Sequence, residues 1–392
     1  MQQQLILKSG ADRRLKRGHL WVYSNEVDTG RSPLKGIEPG SQCLVLDSRG
    51  KALGTAFVNP GQLICARLVS RDGPLEGELL RQRLHSALGM RQRYFDHPSY
   101  RLVYGDSDWL PGLVVDRFGD YLVVQVSNWG MECLLEQVIG MLIELVQPKG
   151  ILLRNDHQGR AMEEMPLVNE VVFGEVPEMV PFEENGVPLL APVHAGQKTG
   201  WFYDHRDNRA RLNQWVRGTK VLDLFSYAGG WGVQALVHGA DQVTCVDASE
   251  QALDWCRANA EHNNLADRLQ TVRGKAVDVL KAMAADGEKF DIVVLDPPAF
   301  IKRRKDQKAG AAAYRHINEL AIGLLAKDGL LVSASCSMHL SSDELLDIVR
   351  GAAHKLRRPA ALLSSGGQGA DHPVHPAIAE TRYLKAHFVH LG

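Results

Sequence analysis

The chain has 392 residues, of which 45% are hydrophobic and 23% charged, a composition that fits a globular protein of two or three domains. No apolar run approaches a membrane span, the Met1-Gln2-Gln3-Gln4 start lacks the basic and apolar parts of a secretion signal, and the six cysteines form no C-x-x-C pair. Membrane, secreted, disulfide-framed and zinc-held readings are thereby excluded, no metal site is expected, and a cytoplasmic protein with reduced thiols is.

The net charge of −1 conceals an asymmetry, because residues 1–75 carry eleven Lys/Arg against six Asp/Glu. Such a segment suits either phosphate contact or a solvated face. Arg13, Arg14, Lys16 and Arg17 stand just ahead of Trp21 and Tyr23, a mixture fit for RNA phosphates and bases. Short apolar runs at 44–47, 52–58 and 63–69, separated by turns at 48–50 and 59–61, predict a small β-barrel. Leu80, Leu84 and Leu88 then recur every fourth position and predict an amphipathic helix over 76–95. A hairpin at 113–126, a helix at 131–146 and strands at 151–154 and 171–173 follow, an α+β module without assignable chemistry.

From about residue 190 the pattern alternates β and α. Strands are expected at 221–225, 242–247, 291–296 and 330–335, with helices from about 230, at 250–260 and at 311–326, which predicts a parallel sheet covered on both faces. Ligands of such sheets sit at the carboxyl ends of the strands. The first of these ends reads Asp223-Leu224-Phe225-Ser226-Tyr227-Ala228-Gly229-Gly230, which is not the three-glycine pattern that cradles a pyrophosphate. An acid followed by paired glycines suits S-adenosylmethionine instead, whose ammonium group calls for a carboxylate such as Asp223; the plainer reading of that acid is a turn cap. The second strand ends at Asp247, placed for ribose hydroxyls in either cofactor class. At the third end Lys275 stands where many such enzymes carry an Asp for the adenine amino group, leaving a backbone group or Asp278 for that contact.

The next strand delivers Asp296-Pro297-Pro298-Ala299-Phe300, in which the prolines fix the chain just beyond the sheet. A carboxylate held there can hydrogen-bond a planar heterocycle stacked on Phe300. Lys302, Arg303 and Arg304 open a run of cations suited to an RNA backbone, or to a solvated loop. The fifth strand ends Ser333-Ala334-Ser335-Cys336-Ser337. Carbon 5 of a pyrimidine becomes nucleophilic when a thiolate adds to carbon 6, so Cys336 is the candidate nucleophile and Asp296 the hydrogen-bond or proton donor to N3. The other five cysteines are expected in the core.

These residues resemble the bacterial ribosomal large subunit methyltransferase I family, which makes 5-methylcytosine in 23S rRNA. The resemblance runs through His19-Leu20-Trp21-Val22-Tyr23-Ser24, similar to PUA domains, and through 105–116, Gln197–Arg206, 224–230, 296–300, 333–339 and the tail 371–376. It implies a class I (Rossmann-like) α/β methyltransferase domain over 191–392, preceded by a PUA-like domain over 1–75 and a linker helix with an α+β module over 76–190. It also implies S-adenosylmethionine as cofactor, held by Lys198, Thr199, Asp204, Asp223, Phe225, Ser226, Ala228, Gly229, Asp247, Ala248, Ala276 and Asp296. The implied partner is 23S rRNA or a large-subunit precursor particle, with Cys336 and Asp296 catalytic. Ala299 stands where two-cysteine cytosine methyltransferases carry a second Cys, so the group that removes the carbon 5 proton is unassigned. Two other readings stay open: a guanine N-methyltransferase that needs no cysteine, and a non-catalytic RNA-binding assembly factor.

Overall fold

The computed structural model describes residues 3–392. The chain divides into two compact units, one of residues 1–180, 193–201 and 370–381, the other of 181–192, 202–369 and 382–392. This division cuts across the expected boundary near 190, because two later segments return to the first unit.

In the first unit, a five-stranded sheet runs in the spatial order Gln4–Ile6, Gln42–Leu46, Ala52–Val58, Ile64–Ser70, Trp21–Tyr23. Leu5, Leu15, Val22, Val45 and Leu68 close its core. A second five-stranded sheet is ordered Val168–Gly174, Gly150–Asn155, Tyr121–Val126, Leu113–Phe118, Ser99–Tyr104. Helices Gly77–Tyr94 and Leu135–Val146 bury Leu80, Leu84, Leu88, Val138 and Leu142 in its core cluster. The helix expected over 131–146 is two pieces, Trp129–Glu132 and Leu135–Val146. Cys133 lies between them and is exposed, which corrects its expected place in the core. The returning tail is pinned by charge: Arg91, 1% exposed, forms a two-pronged pair with Asp108 and donates to the Asp371 carbonyl, while the Asp371 carboxylate accepts from Arg101 N–H and contacts His372.

The second unit is built on seven strands, numbered here for this sheet alone: β1 Lys220–Leu224, β2 Gln242–Asp247, β3 Leu269–Arg273, β4 Phe290–Leu295, β5 Leu325–Ser335, β6 Ala360–Gly366 and β7 Lys385–Leu391. Their spatial order is 3-2-1-4-5-7-6, and β7 alone runs opposite in direction to the other six. Helices α1 Gly232–Val237, α2 Glu250–His262, α3 Ala276–Ala285, α4 Gln307–Leu324 and α5 Ser342–Lys355 form the crossovers. Strand order reverses between β1 and β4, so a crevice opens at their carboxyl ends. Among the described residues no helix is long and apolar enough to cross a membrane, and no cluster of metal-ligating side chains occurs.

Candidate active site

The loop after β1 is tightly wound. Phe225 and Tyr227 hold φ of 63° and 48°, and Gly229 holds 82°. Two side-chain-bearing residues in the left-handed region cost about 1–3 kcal/mol each, and persist because neighbouring bonds over-determine them. Ser226 N–H donates to Val246 O, Tyr227 N–H to Asp247 Oδ2 at 3.0 Å and Gly229 N–H to Ser226 O. The loop also sits directly on two buried thiols: a Cβ at Gly229 would lie 2.7 Å from Cys256 Sγ, and one at Gly232 would lie 2.5 Å from Cys245 Sγ. Glycine is required at both places by that contact.

Asp223 is wholly buried. Its Oδ2 accepts from Gly232 N–H at 2.9 Å, which is the turn-capping role, while Oδ1 has no hydrogen-bond partner. Burial pushes this carboxyl up to about 8 against the Gly232 N–H, and the nearby Asp296 and Asp247 charges push the same way. Three carboxylates, from the ends of β1, β2 and β4, therefore act on one small volume. A pyrophosphate there would meet the Asp247 and Asp296 charges beside a protonated Asp223, whereas a cationic ligand would relieve those charges and draw the proton off Asp223. The orphaned Asp223 oxygen fits an ammonium group, and the residues present thus fit S-adenosylmethionine. Asp247 is half-buried and anchored by Tyr227 and Ser249 N–H groups. Asp247→Ala should weaken S-adenosylhomocysteine binding about 10- to 100-fold, the worth of charge-assisted hydrogen bonds of ~1.5–3 kcal/mol, and isothermal calorimetry checks it.

Ala228 and Gly229 are buried within the loop, and Ala276 is the buried first residue of α3. Ala248 is exposed just past Asp247. Asp204 is buried and its Oδ2 accepts from Tyr383 Oη at 2.6 Å. Lys198 and Thr199 belong to the first unit, where Lys198 is exposed and the Thr199 hydroxyl donates to Asp116.

Asp296, just past β4, is gripped from two sides: Trp231 Nε1–H donates to Oδ2 at 3.1 Å, and His205 Nε2 lies 3.2 Å from Oδ1. Burial alone would raise this carboxyl, but the His205 ring and the Trp231 N–H outweigh it and hold the group below its usual range. A carboxylate so held is a poor proton donor at neutral pH. Of the two roles expected of Asp296, hydrogen-bond partner or proton donor, a held carboxylate suits the first; His205 and Trp231, which carry no local motif linking them to Asp296, are the partners missed in the sequence. Beyond the adjacent strand, Cys336 is half-buried between Ser335 and Ser337, whose hydroxyls bond Tyr314 Oη at 2.8 and 2.9 Å. Phe300 packs on the Tyr314 ring, centroids 4.8 Å apart.

Of the cations expected on RNA, Arg13 and Arg17 are exposed, whereas Arg14 grips Glu26 with both carboxylate oxygens at 2.8 Å and Lys16 pairs with Asp12 and Asp47. Lys302, Arg303 and Arg304 are exposed beyond Asp296. Replacing Lys302, Arg303 and Arg304 by Gln together should lower the slope of log affinity for RNA against log salt by about 3, roughly one per lost phosphate contact. Filter binding from 50 to 300 mM salt, at about those concentrations, reads the slope.

Among solved structures, the chain is similar over its full length to a Streptococcus mutans protein grouped with SAM-dependent methyltransferases, with TM-score 0.83 and 21% identity. It is likewise similar to SMU.776, described as a methyltransferase complexed with SAH, at TM-score 0.85 and 21% identity, both chains again covered in full. A tRNA m1G37 methyltransferase from M. jannaschii shares the fold at TM-score 0.51 and 16% identity, over 82% of this chain and 80% of that one. Sheet order and crevice define a class I methyltransferase fold. Residues 5–71 match the family described as PUA-like domain, and 208–337 that described as Conserved hypothetical protein 95. Ribosomal RNA large subunit methyltransferase I of Salmonella arizonae is 36% identical over 390 residues, 97% of this chain and 96% of the relative, and that of Escherichia coli O157:H7 is 36% identical over 395 residues, 98% of each. The chain belongs to the ribosomal RNA large subunit methyltransferase I family.

Proposed function

We propose that this protein is an S-adenosylmethionine-dependent methyltransferase of large-subunit ribosomal RNA that forms 5-methylcytosine through a Cys336 adduct. The observation that carries the reading is the pairing of a crevice lined by the carboxyl groups of Asp223, Asp247 and Asp296 with a cysteine at the end of the neighbouring strand. When bound, S-adenosylmethionine supplies an electrophilic methyl group. Asp223 would hold its ammonium and Asp247 its ribose. Cys336 Sγ bonds to carbon 6 of the base as the carbon 5–carbon 6 π pair shifts into the ring and N3 takes a proton. The ionised Asp296 accepts from the exocyclic amine, and His205 and Trp231 hold that carboxylate in place. Once carbon 5 carries the methyl group, its proton and the N3 proton leave to solvent, the carbon 5–carbon 6 double bond re-forms, and the carbon 6–sulfur bond breaks to release the thiolate and restore the base.

The same fold in a tRNA m1G37 methyltransferase means that architecture does not choose the base. Nucleoside mass spectrometry of ribosomal RNA methylated in vitro does. 5-Methylcytidine supports the proposal; methylguanosine sinks it in favour of direct transfer to nitrogen. Failure to bind the cofactor at all would indicate an RNA-binding factor without catalysis.

A further inference from the structure

Lys385 opens β7 and is only 7% exposed. Its register partner across the sheet is Ser335, the residue before Cys336. Nζ donates to the carbonyls of Ser337 and Tyr383, so one of its two acceptors is the residue immediately after the cysteine. No carboxylate among the described residues pairs with it. The anionic groups that act on it are the Cys336 sulfur and Glu344, whose oxygens already accept from Ser341 N–H at 2.7 Å and Gln307 Nε2 at 3.1 Å. An ammonium group buried without a counter-ion is costly.

We infer that Lys385 is the counter-ion of Cys336, taking the proton from Sγ onto Nζ so that the sulfur stands ready as a thiolate. The inference rests on the reading of Cys336 as nucleophile and assigns Lys385 a positioning role, since it acts through the sulfur. Burial pulls Lys385 down to about 8, against the pull of Cys336 and Glu344. The other titratable groups packed around Lys385 do not replace it. Tyr314 on α4 is raised by burial and bonded to the two serines, Glu344 on α5 is engaged as above, and His387 is lowered by burial and contacts Ser342 and Ser365.

The test is the pH dependence of Cys336 alkylation by iodoacetamide in the full-length protein, followed on the Cys336 peptide by mass spectrometry so that exposed Cys133 does not interfere. Wild type should titrate at least one unit below about 8.5. Lys385→Met should move the midpoint up by a unit or more and slow alkylation at neutral pH about ten-fold, while Lys385→Arg should stay near wild type. S-adenosylhomocysteine affinity serves as the folding control. A wild-type midpoint at or above about 8.5 overturns the inference, and needs no variant that might misfold. So does a midpoint identical in wild type and Lys385→Met. A low, Lys385-dependent midpoint with full methylation by Cys336→Ala upholds the ion pair and refutes the nucleophile. Loss of methylation in Cys336→Ala with a midpoint indifferent to Lys385 does the reverse.

Discussion

RNA containing 5-fluorocytosine should form a denaturation-stable complex with the wild-type protein when S-adenosylmethionine is present, and none with Cys336→Ala. Fluorine cannot leave carbon 5 as a cation, so the adduct that normally resolves by proton loss persists. Methylation of ordinary RNA by Cys336→Ala should fall by on the order of 10³-fold or more, the scale of nucleophile removal in enzymes that use covalent catalysis. Folding should survive: the side chain is half-buried, and losing one sulfur there costs about 1 kcal/mol. Gel shift under denaturing conditions reads the adduct, and tritium transfer from labelled cofactor reads the rate. Normal methylation by Cys336→Ala would end the covalent mechanism.

Asp223→Asn should trade function for stability. In the unfolded chain this carboxyl ionises near its ordinary 3.8, whereas in the fold it keeps its proton up to about 8. Below pH 3.8 both states are protonated and the group is neutral in the balance. As pH rises from there towards 8 the unfolded state binds fewer protons, so stability is progressively lost. An amide can retain the Gly232 contact and does not ionise. The variant should therefore be more stable than wild type near pH 8 by several kcal/mol, since each pH unit separating the two ionisation points is worth about 1.4 kcal/mol. The difference should vanish near pH 4, and urea unfolding at the two values measures it. Cofactor affinity should fall about ten-fold or more through loss of the ammonium partner. Wild-type binding should release a proton near neutral pH, visible as a buffer-dependent calorimetric heat. Equal stability near pH 8 would mean that Asp223 is already ionised in the fold.

What could be read from the residues follows their burial. β1, β2, β4 and the end of β5 are central strands, hidden on both faces, and stand out as apolar runs at their expected places. β3 and β6 lie at the sheet edges with most residues partly or fully exposed, so neither forms such a run. β7 is buried yet carries Lys385, His387 and His390, and its polar residues mask it. The acids at 223, 247 and 296 were legible because each ends a recognisable strand. Their governors were not: Trp231 and His205 reach Asp296 across 65 and 91 positions of chain, and Lys385 lies 49 positions from Cys336, distances over which no periodicity operates. Arg14 and Lys16 show the converse limit, since a cation counted in a charge cluster reveals nothing of the Glu26 or Asp47 that occupies it.

The segment 370–381 has a consequence for synthesis on the ribosome. Arg91 and the Arg101 N–H are translated early, but the Asp371 groups they bond emerge some 200 residues after position 180. At about 5–20 residues per second that is a wait of roughly 10–40 s. For that interval the nascent amino-terminal unit lacks one of its own strips of chain, with Arg91 held by Asp108 and the Arg101 carbonyl and without its bond to the Asp371 carbonyl. A chain broken off before residue 370 never receives the strip. Completion of the first unit is thereby tied to completion of the second, and a truncated product keeps an unfinished seam in its amino-terminal unit.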